Sequence, residues 1–322
     1  MKLAPIIVFA YNRPIHLLRT LDALAKNKLA DQSVLYIYCD GAKPLTDERM
    51  KGLMDERYNE YLSQIEQTRK VAHAATGFKE LHVIERPKNV GLMNNIVSAV
   101  TEIVNQYGRV IVFEDDMLTS SGTLQYFNDA LETYKDEEKV MHVVSYMFPH
   151  RWPLPETFFY TVPYPGGGWA TWARAWKYYP ESIDELYDYW KDKWSYFNYW
   201  NHIGTDLVKQ LVDNHKGTLR TWFIRWYAVM LKMGTLTLYP SKSLVTNIGF
   251  DGTGDNCVRW EHNPYYIEHL APSIKVEKKK CIQENRLAAH EIYAFHAGRW
   301  YNKRRRDHAL KCIKDFFRPL IP

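Results

Sequence analysis

Apolar runs alternate with helix-like stretches through the first 116 residues, and this alternation constrains the fold more than any other feature. The run Pro5–Ala10 is apolar at every position, as in a parallel strand buried on both faces. Asn12-Arg13-Pro14 ends the run and opens a helix, since proline fits the first helical turn. Strands separated by helices pair in parallel through right-handed crossovers. The pattern therefore predicts an α/β fold with a mostly parallel central sheet flanked by helices.

The same alternation continues along the chain and becomes less regular after Asp116. Further strands are predicted over Ser33–Cys39, Leu81–Glu85, Arg109–Phe113, Lys139–Tyr146 and Thr235–Tyr239. Helices are predicted over Thr46–His73, Leu92–Tyr107, Gly122–Lys135 and Arg220–Lys232. There is no internal repeat and no low-complexity linker. We therefore expect one compact unit with two halves, residues 1–118 and 119–260, followed by a basic extension over residues 261–322.

Polar loops follow the first four predicted strands. In parallel α/β sheets, ligands bind outside the carboxyl ends of the strands, where such loops meet. We therefore expect one crevice to be formed by four segments of the sequence: Asn12-Arg13, Asp40-Gly41, Asn89–Gly91 and Glu114–Asp116.

Three consecutive acids, Glu114-Asp115-Asp116, follow the fourth strand. Such acids repel one another unless a cation lies among them, and Mg²⁺ and Mn²⁺ prefer carboxylate and phosphate oxygens. A metal held there could neutralise the diphosphate leaving group of a nucleotide sugar. An acidic cap at a helix N-terminus is the alternative that the residues by themselves leave open.

Composition is that of a globular protein, with 46% hydrophobic and 25% charged residues. No stretch approaches the roughly 18–20 uninterrupted apolar residues of a membrane span. The N-terminus runs straight into the first predicted strand, which leaves no room for a signal peptide, so the expected location is the cytoplasm. The four cysteines lack CxxC spacing, which argues against a structural zinc site and a disulfide framework. The net charge of +5 is modest, and no nucleic-acid partner is expected.

The C-terminal segment is basic. The run Lys303-Arg304-Arg305-Arg306 precedes apolar residues at close to helical spacing, from Ala309 to Leu320. A basic amphipathic helix of this kind can lie on an anionic membrane surface, which would make the protein peripheral at the inner face of a membrane. A helix packed on its own domain is the equally open alternative.

An ordered set of motifs resembles the donor-site segments of GT-A glycosyltransferases. The segments are Phe9–Pro14, Tyr38–Gly41, Arg86–Leu92 and Val112–Met117, and the likeness continues through Gly167–Trp172, Arg225–Tyr227 and Asn247–Gly249. The group it resembles includes the N-acetylglucosaminyltransferase of N-glycan processing and bacterial sugar transferases of polysaccharide clusters. The resemblance implies a Rossmann-like nucleotide-diphospho-sugar transferase whose residues 1–118 bind the donor and 119–260 the acceptor.

Site roles follow from this resemblance position by position. Arg13 would approach the nucleotide, Asp40 would accept a hydrogen bond from uracil, and Asn89 and Gly91 would shape the loop beside the ribose. Asp116 would bind Mn²⁺ or Mg²⁺ directly, while Glu114 and Asp115 would contact the ribose, sugar hydroxyls or metal-bound water. Trp169 belongs to the segment that would pack against the donor sugar. From the residues alone, Asp40 could equally be a buried cap and Asn89–Gly91 only a tight turn.

One departure concerns the general base. Inverting relatives carry an acid near the start of the helix after the acceptor region, whereas Leu219–Tyr227 contains none here. Either another carboxylate acts, with Asp251 favoured over Asp206 and Asp213, or the enzyme retains configuration with help from the departing phosphate. Arg225 would then suit a phosphate or an anionic acceptor.

The sequence thus predicts transfer of a hexosyl or N-acetylhexosaminyl group, from a donor expected to be UDP-linked. The acceptor would be a hydroxyl of a glycan or lipid-linked saccharide in cell-surface polysaccharide synthesis. A sugar nucleotidyltransferase would need a glycine-rich loop after the first strand, and a dinucleotide oxidoreductase would need GxGxxG there. The segment Ala10–Pro14 contains no glycine, which argues against both classes. A non-catalytic carbohydrate-binding protein would explain the 11 tryptophans but would leave the acidic triplet without a role.

Overall fold

The computed structural model describes residues 2–47, 50–51, 54–194, 197, 207–254, 259–260 and 263–298. The strands are β1 Ile6–Ala10, β2 Val34–Cys39, β3 Glu80–Glu85, β4 Arg109–Glu114, β5 Met117–Thr119, β6 Val140–Val144, β7 Thr157–Tyr160, β8 Trp169–Trp172, β9 Leu236–Pro240 and β10 Val245–Asn247. The helices are α1 Pro14–Ala25, α2 Asp55–His73, α3 Leu92–Tyr107, α4 Thr123–Thr133, α5 Ala173–Trp176, α6 Asp184–Trp190, α7 Leu207–His215 and α8 Trp222–Met233. A 3-10 turn spans Ala30–Gln32, and residues 286–298 are helical.

Ten strands form two sheets in the described part of the chain. The larger sheet has the order β3-β2-β1-β4-β8-β6-β9-β7, and β5 pairs with β10 in the smaller one. The pairs within β3-β2-β1-β4 are parallel, as is β6 with β9, whereas β8 is antiparallel to both of its neighbours. This architecture confirms the predicted α/β class with a mostly parallel central sheet and flanking helices.

The parallel half of the sheet matches the sequence pattern closely. Every residue of β1 is buried, because this strand lies between β2 and β4 with helices on the faces of the sheet. Val8 lies opposite Ile37 on one side and Phe113 on the other, so the three carboxyl ends are level. The level register gathers the loops after these strands at one edge.

Helix α2 is shorter than predicted. It begins at Asp55, whereas residues 43–47 form a loop and turn at its N-terminal side. Two tyrosines of α2 hold this loop, since the Lys43 amide donates to the Tyr61 hydroxyl over 2.6 Å and the Tyr58 hydroxyl donates to the Lys43 carbonyl over 3.1 Å. These hydrogen bonds fix the loop that precedes the helix.

The second half adds strands that the sequence did not reveal. Segments β7 and β8 are short and aromatic, and their pairing with β9, β4 and β6 gives them strand structure. Strand β8 joins the two predicted halves, because Val112 of β4 lies opposite Trp169. The boundary at residue 118 stays a prediction, and the sheet itself is continuous across it.

The small sheet matters most for the site. Strand β10 runs antiparallel to β5, with Asn247 opposite Met117 directly after the acidic triplet. The pairing holds the loop after β10 against the carboxyl end of β4. In the described residues, no helix is long and apolar enough to cross a membrane. The predicted membrane-binding segment Lys303–Leu320 and the candidate base Asp206 lie outside the described residues.

Candidate functional site

The four predicted loops meet around one polar cavity of about 470 Å³ at the carboxyl ends of the parallel strands. We refer to it as the polar cavity. Its lining includes seven of the ten residues to which the sequence assigned a role: Arg13, Asp40, Asn89, Gly91, Glu114, Asp115 and Asp116. The expected convergence is therefore present in the structure.

Helix α1 fixes the turn that carries the acids. The buried hydroxyl of Thr20 donates to the carbonyl oxygen of Asp115 over 2.7 Å and accepts from the Met117 amide over 3.1 Å. Both bonds cross from α1 to the segment between β4 and β5. A side chain of the first helix thus holds the backbone of the acidic triplet in place.

Arg13, at the N-terminal end of α1, bridges two of the acids. Its Nη2 donates to Asp115 Oδ1 and, over 2.9 Å, to Asp116 Oδ2, while its Nε lies 3.3 Å from Asp115 Oδ2. Both aspartates are almost fully buried, with about 4% of each residue exposed. A planar guanidinium suits this bidentate arrangement, and an ammonium group would not reproduce it.

The loop after β10 covers Asp116 from the other side. Asn247 Nδ2 donates to Asp116 Oδ1 over 3.2 Å, and the Gly249 amide donates to Asn247 Oδ1 over 2.7 Å. A Cβ at position 249 would lie 2.0 Å from Asp116 Oδ2, so only glycine leaves the carboxylate where it is. Both oxygens of Asp116 are therefore held in a defined orientation.

The acidic site keeps an excess of negative charge. Burial, together with the charges of Asp116 and Asp115, raises the pKa of Glu114 to about 8 against the lowering effect of Arg13. Burial also raises the pKa of Asp115 to about 6 against the lowering effect of Arg13. Burial would lower the pKa of Arg13, but Asp115 and Asp116 outweigh that effect and the pKa is raised. One guanidinium faces three carboxylates, so the site favours a further cation.

The metal prediction gains partial support from this geometry. Within the described residues, no group of three or more His, Cys, Asp or Glu side chains converges on a metal position. Mg²⁺ is nevertheless commonly held by only one or two carboxylates, with substrate phosphates and water completing its shell. The oriented carboxylate of Asp116 in an under-neutralised acidic site fits that kind of partial donor set.

Asp40 acts as a tie between two loops. Its Oδ1 accepts from the amides of Gly41 and Val90, each over 2.9 Å, and its Oδ2 accepts from the Gly91 amide over 3.1 Å. Asn89 Nδ2 also donates to the Gly41 carbonyl over 2.9 Å. These contacts match the structural cap that the residues allowed, and Asp40 lines the polar cavity as well.

A second cavity of about 660 Å³ adjoins the first. We refer to it as the aromatic cavity. Leu92, Glu114 and Arg220 line both cavities, which therefore meet beside the end of β4. Arg220 is exposed and makes no hydrogen bond or ion pair with any described residue, so its charge is open to a ligand. The sequence pattern gives Arg220 no role, because only the fold shows that this residue lines both cavities.

Three predicted residues are placed apart from both cavities. Trp169 is buried and stacks on Trp222 with ring centroids 4.9 Å apart, as part of the core. Arg225 lines a separate cavity of about 350 Å³, where its Nη1 donates to the Glu181 carbonyl over 3.0 Å. Asp251 is partly exposed and pairs with His16 Nε2 over 3.0 Å.

The environment of Asp251 does not favour a base. Partial burial would raise its pKa, but hydrogen bonds from the Thr253 hydroxyl and amide and the charge of His16 outweigh that effect, and the pKa is lowered. Another candidate, Asp213, pairs with Lys209 on α7 and lines neither cavity. No described carboxylate other than Glu114 lines both cavities.

No protein-family profile and no curated protein sequence matches this chain. Solved structures similar to it include S. aureus TarS residues 1–349 in complex with UDP, with 18% identity over 48% of this chain and 38% of that chain and a TM-score of 0.28. The aligned region spans about a quarter of the longer TarS chain, at 23%.

Two further solved structures illustrate the range of the similarity. Galactosyltransferase LgtC in complex with donor and acceptor sugar analogs is 9% identical over 72% of each chain, with a TM-score of 0.37. UDP-glucose pyrophosphorylase in complex with UDP-glucose is 10% identical over 55% of this chain and 79% of that chain, with a TM-score of 0.30. These values are too low to assign an activity to this chain. The relation to the N-acetylglucosaminyltransferase of N-glycan processing stays a prediction.

Proposed function

We propose that this chain is a glycosyltransferase that moves a sugar from a nucleoside diphosphate sugar to a hydroxyl group of a glycan or lipid-linked acceptor. The observation that carries the proposal is the meeting of the polar and aromatic cavities at Glu114. A transferase needs one site for a charged donor and another for the acceptor, with both open to the same reacting atoms. A binding protein with one ligand needs neither the second cavity nor the acidic junction.

The polar cavity suits the donor. Its acids can accept hydrogen bonds from ribose and sugar hydroxyls, while Arg13 and Arg220 supply positive charge for a diphosphate. Choice of UDP rests on the resemblance of the Asp40 and Glu114–Asp116 segments to UDP-sugar transferases. Asn89 and Gly91 would bound the ribose through the loop that Asp40 ties in place.

A divalent metal, Mn²⁺ or Mg²⁺, is part of the proposal, with Asp116 as its protein ligand. Such an ion would neutralise charge on the departing diphosphate. Arg13 and Asn247 hold the Asp116 carboxylate in one orientation. Glu114 and Asp115 would then be free to orient sugar hydroxyls rather than to bind the ion.

Glu114 would accept a hydrogen bond from the attacking acceptor hydroxyl, and its position in the lining of both cavities supports this role. Asp251 remains the second candidate for this task, since the loop after β10 packs on the acidic site. Arg225 and Trp169 would support the reaction only through the helix and core that they stabilise. Cell-surface polysaccharide synthesis at the inner face of a membrane completes the proposal, through the basic segment near the C-terminus.

The test is donor turnover. We would incubate the protein with Mn²⁺ and a panel of UDP-sugars, and measure UDP release together with thermal stabilisation. Asp116→Asn should lower turnover roughly a hundredfold or more, because a catalytic metal supplies several kcal/mol. Asp136→Asn is the matched control, since Asp136 is exposed and lines neither cavity.

Other outcomes would identify another function. Pyrophosphate release from UTP and a sugar 1-phosphate would indicate a nucleotidyltransferase. Saccharide binding with no response to any nucleotide sugar would indicate a carbohydrate-binding protein. Either result would overturn the proposed transferase.

A further inference from the structure

Apolar and aromatic side chains make up most of the lining of the aromatic cavity. Its lining includes Phe148, Tyr160, Val162, Tyr239, Tyr265 and Ile292. These residues come from separate parts of the chain, since Tyr160 is in β7, Tyr239 in β9 and Ile292 in the helix over residues 286–298. The cavity is thus built by the tertiary fold and continues directly from the acidic junction.

Polar residues are the smaller part of the lining, and some of them bond within the protein. The Tyr239 hydroxyl donates to the Val162 carbonyl over 2.8 Å, and the Thr218 hydroxyl donates to the Asp213 carbonyl over 3.2 Å. A hydroxyl buried without a hydrogen-bond partner is costly. A saccharide that filled the cavity would therefore place hydroxyls against aromatic and aliphatic side chains.

The cavity is also long. Glu114 ends β4 and Tyr160 ends β7, and these strands are four places apart in the sheet order. Neighbouring strands are about 4.8 Å apart, so the two residues are separated by roughly 19 Å across the sheet. An elongated apolar cavity with its acids at one end fits an elongated ligand with its polar group at one end.

We propose that the aromatic cavity binds the chain-like apolar aglycone, alkyl or prenyl, of the acceptor, whose sugar hydroxyl lies at Glu114. This inference rests on the proposed glycosyltransferase function and specifies its acceptor. Each buried methylene group of the chain strengthens binding about fourfold, from the usual free energy of apolar transfer. The apolar chain supplies the affinity, and Glu114, where the two cavities meet, selects the sugar hydroxyl that reacts.

The experiment uses β-glycosides of glucose, galactose and N-acetylglucosamine with methyl, butyl, hexyl and octyl aglycones, below their critical micelle concentrations. Binding to the UDP-loaded protein would be followed by calorimetry and by tryptophan fluorescence, since Trp222 lines the cavity. Burial of about half of the seven added methylenes predicts at least a hundredfold gain from methyl to octyl. Affinities of methyl and octyl glycosides within threefold of each other would overturn the proposal.

A variant tests whether the chain occupies this cavity. Phe223→Ser should weaken octyl glycoside binding roughly tenfold, because Phe223 lines the cavity, and leave methyl glycoside binding unchanged. Met233→Ser is the matched control, at an exposed position of the same helix that lines neither cavity. Leu219→Ser, at a more exposed lining position, replaces Phe223→Ser if that variant does not fold.

UDP affinity separates the two proposals. A variant that binds UDP as the wild-type protein does, but no longer binds the octyl glycoside more tightly than the methyl glycoside, would support the acceptor inference. If Phe223→Ser and Leu219→Ser both bind the octyl glycoside with wild-type affinity, the acceptor inference is overturned while the donor site stays intact. Failure of every nucleotide to bind the wild-type protein would instead refute the proposed function itself.

Discussion

A single methyl group at position 249 should disturb the acidic site much more than the fold. Gly249 is buried beside Asp116, and its φ is outside the left-handed region, so alanine meets no backbone strain there. The obstacle is steric, because the new Cβ would lie 2.0 Å from Asp116 Oδ2 and 3.0 Å from Arg13 Nη1. Gly249→Ala therefore acts directly on the pair that orients the proposed metal ligand.

The size of the effect follows from these distances. An ordinary contact begins at 3.4 Å, so the carboxylate oxygen or the loop must shift by 3.4 minus 2.0, or about 1.4 Å. The 2.9 Å bond from Arg13 to Asp116 cannot follow such a shift while Arg13 also holds Asp115. Loss of one charge-assisted hydrogen bond costs about 1.5–3 kcal/mol of stability, because the bond lies within the protein. The displaced Asp116 carboxylate would separately weaken metal-dependent donor binding, and a loss of the same size there corresponds to roughly 10- to 150-fold in affinity.

The assay is calorimetric titration of UDP into the protein with Mn²⁺, together with thermal unfolding. Gly298→Ala is the control, because a Cβ there meets nothing within 4 Å and the position has no left-handed φ. We expect weak UDP binding and a melting temperature that falls by about a few degrees for Gly249→Ala, with the protein still folded. Wild-type UDP affinity in this variant would show that the Arg13–Asp116 arrangement does not position the donor.

Two further predictions concern a buried histidine and the acceptor hydroxyl. His142 is fully buried, burial lowers its pKa to about 3, and its Nδ1 accepts from Trp226 Nε1 over 3.1 Å. The imidazole of His142 binds a proton below about pH 6.5 in the unfolded chain but not in the folded protein, so the free energy of unfolding should fall with decreasing pH by up to about 1.4 kcal/mol per pH unit. His142→Asn should reduce this pH dependence, measured by urea unfolding at pH 6.5 and 4.5. An equal pH dependence in the variant and the wild-type protein would contradict the prediction. Glu114→Gln should lower kcat for transfer roughly a hundredfold with little change in UDP affinity, whereas Asp251→Asn should stay within tenfold; the reverse order would favour Asp251 as the base.

Local sequence information determined the parallel half of the sheet. Continuous apolar runs followed by polar loops are sufficient to place β1, β2 and β4, because strands buried on both faces have a pattern that does not depend on their neighbours. Strand β3 lies at the edge of the sheet and is only partly buried, and the position of its short apolar run between two helices places it. Because ligands bind at the carboxyl ends of parallel strands, the sequence is also sufficient to place Arg13, Asp40, Asn89 and Glu114–Asp116 at one site. The structure adds the partners, such as Thr20 and Asn247, that fix the acids in place.

Only the tertiary structure decided the part of the chain after β5. The aromatic strands β7 and β8 have no periodicity of their own and depend on pairing with β9, β4 and β6. Trp169 of β8 belongs to the core, where it stacks on Trp222 of helix α8, whereas Arg225 of the same helix lines a separate cavity. Only packing decides which neighbour each face of that helix meets. Glu114 and Arg220 acquire a shared role for the same reason. They are distant in sequence, and the fold brings them together where the two cavities meet.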